Sequence, residues 1–238
     1  MISGIFLARA DLSHKTGAFL VTCLLAAAFF SQAAGISYAA ETRPSVPTAS
    51  PAHAYFASAQ KALAAGDSAT AGEKLRQAVQ VDPKFAPAYL LLGLTEFRLG
   101  DMAKAIEHYQ RALELQPRSF SGHYNLALAY LRDHRLEDGR AQLEQAVKLN
   151  PNQADAAYDL GIVLLELKQP AQAMVEFEAT LRTAPNRFNA LSGAARAAKL
   201  SGDNEKAKTY YAKLLAICEH ADGDRPELQD ARSLLAQK

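Results

Sequence analysis

The chain has 238 residues, with 26 Lys and Arg against 25 Asp and Glu and a formal net charge of +1. So even a balance gives no electrostatic pull on nucleic acid or on an anionic membrane, which excludes binding classes that rest on net positive charge. Hydrophobic residues make up 49% of the chain, ample for a core built by helix packing.

At the N-terminus, Arg9 and Lys15 precede an apolar run from Gly17 to Phe30, and Ser37-Tyr-Ala39 places small residues before a cut after Ala39. Residues 1–39 read as a cleaved secretory signal. The rival reading is a signal anchor in the inner membrane. The run is shorter than the roughly 20 residues a span needs, and Ser31 and Gln32 interrupt it. Leu20-Val-Thr-Cys23 superficially suggests a lipoprotein site, but the apolar run continues past the cysteine and Thr22 is a poor residue before the cut. Removing Arg9, Lys15 and Asp11 leaves 24 basic and 24 acidic residues, a mature charge of zero. Cys218 is then the lone cysteine, so the exported chain has no internal disulfide, and Cys218 is expected to be a small packing residue. Residues 40–51 are polar and proline-rich, a linker.

From Ala52 the sequence repeats. Pro83, Pro117, Pro151 and Pro185 stand 34 residues apart, a period that signals stacked supersecondary units. The units are 52–85, 86–119, 120–153, 154–187 and a degenerate fifth, 188–221, with Glu219 at the proline place and Ala194 where the middle units have leucine. Counting places from each unit's first residue, the eighth is Ala59, Gly93, Ala127, Gly161 and Ala195. The twentieth is Ala71, Ala105, Gly139, Ala173 and Ala207, and the twenty-fourth is Leu75, Tyr109, Leu143, Phe177 and Tyr211. Small residues let two antiparallel helices approach, and the bulky one fills the gap towards the next unit. Proline stops the second helix, and Gly66-Asp67, Gly100-Asp101 and Gly202-Asp203 supply a turn and a cap inside a unit. Residues 224–238 read as a capping helix, with Leu228, Ala231, Leu234 and Leu235 on one face.

This pattern resembles the tetratricopeptide repeat, a helix-turn-helix unit with small, aromatic and proline residues at these spacings. The likeness runs from Ala52 to Ala221. It implies an all-α fold, a right-handed superhelix of five helix-turn-helix repeats closed by the C-terminal helix. The chain departs from the family at the fourth place, which reads Tyr55, Tyr89, His123, Ala157 and Leu191, with no tryptophan anywhere. Looser packing towards the C-terminus is expected there.

The resemblance also implies that the first helix of each unit lines a concave groove. At places 5, 9 and 12 the sequence offers Phe56, Gln60 and Leu63, then Leu90, Leu94 and Phe97, then Tyr124, Leu128 and Leu131, then Tyr158, Ile162 and Leu165. In the last unit these become Ser192, Arg196 and Lys199. The band suits a helix or extended segment of another protein; packing between helices is the competing account, above all at place 12. Arg98 and Arg132 on one side, and Asp155, Asp159 and Glu166 on the other, are candidates to set register. A two-carboxylate clamp of the kind that grips chaperone C-termini is excluded. Asn125 holds one of its places, but Leu90 and Leu94 precede it and Asp155 and Asp159 follow it, so a free carboxylate would meet oil and repulsion.

The sequence holds no nucleophile elbow, phosphate loop or dinucleotide glycine pattern, and its six histidines include no i, i+4 pair. No cofactor, metal or catalytic residue is expected. The reading is an exported, periplasmic or secreted scaffold that binds a protein or peptide in the groove, without catalysis, nucleic acid or a membrane contact beyond an uncleaved signal. The Ala-rich signal points to a Gram-negative-type envelope, where resembling repeat proteins serve secretion-system or pilus assembly, polysaccharide export and cytochrome maturation. A self-assembling structural array and an accessory lobe of an envelope enzyme are the alternatives, and the sequence leaves the oligomeric state open.

Overall fold

The computed structural model describes residues 50–218 and 225–236. Residues 1–39, read as a secretory signal, and nearly all of the segment read as a linker lie outside the described residues. Within them the chain is all helix, in the order α1 (Pro51–Ala64), α2 (Ser68–Val81), α3 (Ala86–Leu99), α4 (Met102–Leu115), α5 (Phe120–Arg132), α6 (Leu136–Leu149), α7 (Ala154–Glu166), α8 (Pro170–Thr183), α9 (Phe188–Leu200), α10 (Asn204–Ile217) and α11 (Pro226–Ala236). Each of the five units supplies two helices and α11 follows the last pair. Helix α1 opens at Pro51, one residue inside the segment read as linker, because proline at a first turn sacrifices no hydrogen bond. The second helices α2, α4, α6 and α8 stop two residues before Pro83, Pro117, Pro151 and Pro185, where the ring forbids continuation.

One turn geometry joins the two helices of every unit. The fifteenth place takes a positive φ throughout: Gly66 at 82°, Gly100 at 88°, His134 at 61°, Lys168 at 58° and Gly202 at 83°. The next backbone N–H then reaches the carbonyl five residues back, as in Asp67 to Ala62 at 2.9 Å and Gln169 to Leu164 at 2.8 Å. In the Gly-Asp turns the aspartate also caps the following helix, Asp67 accepting from the Thr70 N–H at 2.9 Å, Asp101 from Lys104 at 3.1 Å and Asp203 from Lys206 at 3.0 Å. Units three and four have neither glycine nor aspartate there; Arg135 and Gln169 cap without a side-chain bond. Buried Gln169 Oε1 has no partner.

The core is a ribbon of four clusters, each crossing a unit boundary. Leu75 joins Ala59 to Leu92, and Tyr109 joins Ile106 to Leu126 and Tyr130. Phe177 joins Leu143 and Leu160 to Ala194 and Ala197, and Tyr211 joins Leu191 to Leu228 and Leu234 of α11. The place-24 side chains lie against small residues at close range. A Cβ added to Gly93 would stand 2.6 Å from the Tyr109 ring. Phe177 is held on two sides, with a Cβ on Gly161 reaching 2.9 Å and one on Gly193 reaching 2.6 Å.

The fourth place corrects an expectation. Packing does not loosen towards the C-terminus: Tyr55 and Tyr89 are half-buried, whereas Ala157 and Leu191 are buried. Helix α11 brings Leu228 onto the cluster that holds Leu191, so a smaller side chain is sealed by a neighbour. Cys218 packs half-buried against the same cluster.

Two consecutive pairs of first helices touch, α3 with α5 and α7 with α9, while among the described residues no two second helices come into comparable contact. None of the described helices is long and apolar enough to cross a membrane.

Candidate functional site

Four of the place-5 side chains, Phe56, Leu90, Tyr124 and Tyr158, are half-buried on the first helices of their units. At place 9, Leu94, Leu128 and Ile162 are half-buried as well, and exposed Gln60 and Arg196 end the row on either side. All of these half-buried side chains but Leu128 pack one flank on a core cluster. Leu90, Leu94 and Phe97 lie on the Tyr109 cluster, and Tyr124, Tyr158 and Ile162 on the Phe177 cluster. Place 12 divides. Phe97 stays half-buried, but Leu131 and Leu165 are each only 8% exposed and belong to the core. Leu131 is drawn inwards by Gly139, where a Cβ would lie 2.5 Å from its Cδ2.

Ring contacts fix the aromatic members. Phe56 meets Phe85 edge-on at 5.1 Å, and Phe120 stacks on Tyr124 at 5.7 Å with the planes 11° apart. Arg132 carries its guanidinium over Phe97 at 4.9 Å, linking α5 to α3. Asn125 sits half-buried beside Tyr124, and Arg98 is exposed one residue beyond Phe97.

The acidic side of the band is engaged within the chain. Tyr124 donates its hydroxyl to Asp159 Oδ2 at 2.6 Å, joining α5 to α7. Arg187, in the loop before α9, donates to Asp155 Oδ1 at 2.8 Å and lies over the Tyr158 ring at 4.5 Å. Sequence reasoning missed Arg187 because it stands at the last place of its unit, outside the helix whose face was being read. Glu166 remains exposed at the far end of α7. Among the described residues no group of three or more His, Cys, Asp or Glu could hold a metal ion.

A family model described as TPR repeat matches residues 94–133, and one described as tetratricopeptide repeat matches residues 124–187. No curated protein matches the chain. Among solved structures, MamA is similar at 24% identity with a TM-score of 0.67, over 74% of this chain and 98% of its own. YrrB, described as a TPR protein with an unusual peptide-binding site, is similar at 20% identity and 0.66, over 75% and 90%. PilF of Pseudomonas aeruginosa is similar at 24% identity and 0.60, over 78% and 87%. Residues 94–187 match tetratricopeptide-repeat models, and the described helix pairs to either side continue the same helix-turn-helix geometry, so the described chain has the all-helical solenoid fold of these structures.

Proposed function

We propose that the chain is an exported, non-catalytic scaffold whose inner wall holds a segment of another protein. One observation carries this reading: Leu94, Leu128 and Ile162, at the same place of the first helices α3, α5 and α7, are all half-buried, flanked by Leu90, Tyr124 and Tyr158. Side chains so placed offer apolar flanks at regular intervals, the arrangement that accepts an amphipathic helix or an extended strand. YrrB, which shares the fold, is described by its own peptide-binding site. The sequence supports export, since residues 1–39 have the charge, apolar run and small-residue cut of a secretory signal. Service in envelope assembly or secretion follows from that location.

The test is capture from an envelope extract with the mature protein, against a Leu94→Glu/Leu128→Glu control. Binding partners should be retained by the wild type and lost by the variant, with the helical circular dichroism of both unchanged. Equal capture by the two proteins would rule the inner wall out. In the same preparation, mass spectrometry should find a mature N-terminus just after Ala39; a chain still carrying its apolar run would replace export with anchoring.

A further inference from the structure

The inner wall is not electrically neutral towards a guest, although the charge count suggests it should be. Its carboxylates and its cations differ in what they already hold. Asp159 accepts the Tyr124 hydroxyl, and Asp155 is paired with Arg187. The cations at the open edge have no such compensation. Among the described residues no carboxylate pairs with Arg98, Arg132, Arg196 or Lys199, all of them exposed. Arg132 sits over Phe97, an interaction that leaves its N–H donors without a carboxylate. Asp133 follows it in sequence but forms no ion pair with it. Glu166 is the one exposed anion at the equivalent edge of unit four.

The geometry points to a guest that is acidic as well as apolar: an amphipathic segment of another protein, with Asp or Glu flanking its Leu, Ile or Phe side chains. Arg98 and Arg132 occupy the same place in consecutive units and bracket Phe97, with Leu94 one helical turn back on the same face. Carboxylates of the guest reach these two guanidiniums while its apolar side chains lie on Leu94 and Leu128, and Arg196 and Lys199 meet a further acidic residue at the far end. A basic guest would face like charge at four unpaired cations, against Asp159 and Glu166, since Asp155 is neutralised by Arg187. The site reads internal acidic side chains and not a free C-terminus. This inference rests on the groove reading and narrows it to one chemistry.

The experiment is selection of a random peptide display library on the purified protein, followed by affinity measurement of the selected peptides on variants. Selected peptides should carry net negative charge, with Asp or Glu beside apolar residues. Their affinity should fall at least about tenfold in Arg98→Glu/Arg132→Glu. Salt should weaken wild-type binding between about 50 and 300 mM. Circular dichroism confirms that the variant folds. Neutral or basic selected peptides, or affinities indifferent to the charge reversal, would overturn the acidic guest while leaving the groove standing. Selected peptides that bind Leu94→Glu/Leu128→Glu as well as wild type, or a library yielding none that depends on those leucines, would instead overturn the groove reading itself.

Discussion

Phe177 is clamped between two glycines, and a single methyl group tests how tightly. In Gly193→Ala the new Cβ would lie 2.6 Å from Cε1 and Cζ of the ring and 3.0 Å from Cδ1. Carbon atoms in contact prefer about 3.5–4.0 Å, so the ring must retreat by roughly 1 Å. Room for retreat is small, because the same ring atoms also lie close to Gly161, where an added Cβ would stand 2.9 Å from Cε1. Overpacking of this kind costs about 1–3 kcal/mol. Alanine in place of glycine inside a helix returns about 0.5–1 kcal/mol. The net effect is a loss of about 1–2 kcal/mol, read as a lower urea midpoint at unchanged slope by far-ultraviolet circular dichroism. Phe177→Leu leaves slack on that side. In its background Gly193→Ala should become neutral or stabilising, with a coupling of about 1–3 kcal/mol between the two changes. Gly193→Ala raising the midpoint of the wild-type protein, with no coupling to residue 177, would refute the clamp.

Two further outcomes follow from the turns and from burial. Replacing Lys168 and Gln169 by Gly and Asp gives unit four the turn of units one, two and five, relieving a positive φ and an unpartnered acceptor while adding a cap; a gain of about 1–2 kcal/mol is expected in the same melts. The pH dependence has a definite sign at His108, whose imidazole is held below its ordinary 6.5 chiefly by burial, with Arg76 and Lys104 adding to the effect against Glu107 and Glu96. The unfolded chain therefore takes up the proton first. The stability contribution is intact above 6.5 and falls as the pH drops below it, and His108→Gln should flatten that part of the profile. Hydrogen bonds from Thr70 and from Lys104 hold Asp67 and Asp101 below 3.8, so their contributions fade only in still stronger acid.

What could be read from the sequence was whatever recurs at a fixed interval. The prolines at place 32 and the small and large residues at places 8, 20 and 24 each answer a constraint repeated in every unit, and the helices end and pack where those residues require. Interactions between units were not legible, because their partners lie far apart along the chain. Asp159 reaches Tyr124 across 35 residues and Asp155 reaches Arg187 across 32. A carboxylate that looked available to a guest was already engaged by a neighbour. The same limit applies to Leu131 and Leu165, which share a helix place with Phe97 but are covered by the core. Gly193 lies two residues before the small-residue place of its unit and carries no periodic signal, although it forms half of the clamp on Phe177. The turns at His134 and Lys168 were not read, since neither residue announces a left-handed backbone.

Those two turns bear on how the array comes together. Units one, two and five specify their own bend locally, through a glycine that accepts the required backbone and an aspartate that starts the next helix. The third and fourth must have it imposed, and what imposes it is the Phe177 cluster, whose members come from three consecutive units. Cut out of the chain, this central pair would lack the local instruction and lose the side of the cluster that Ala194 and Ala197 supply. The stretch bearing Leu128 and Ile162 is thus shaped in part by unit five, and a change there can alter the grip at the middle of the stack without touching a guest.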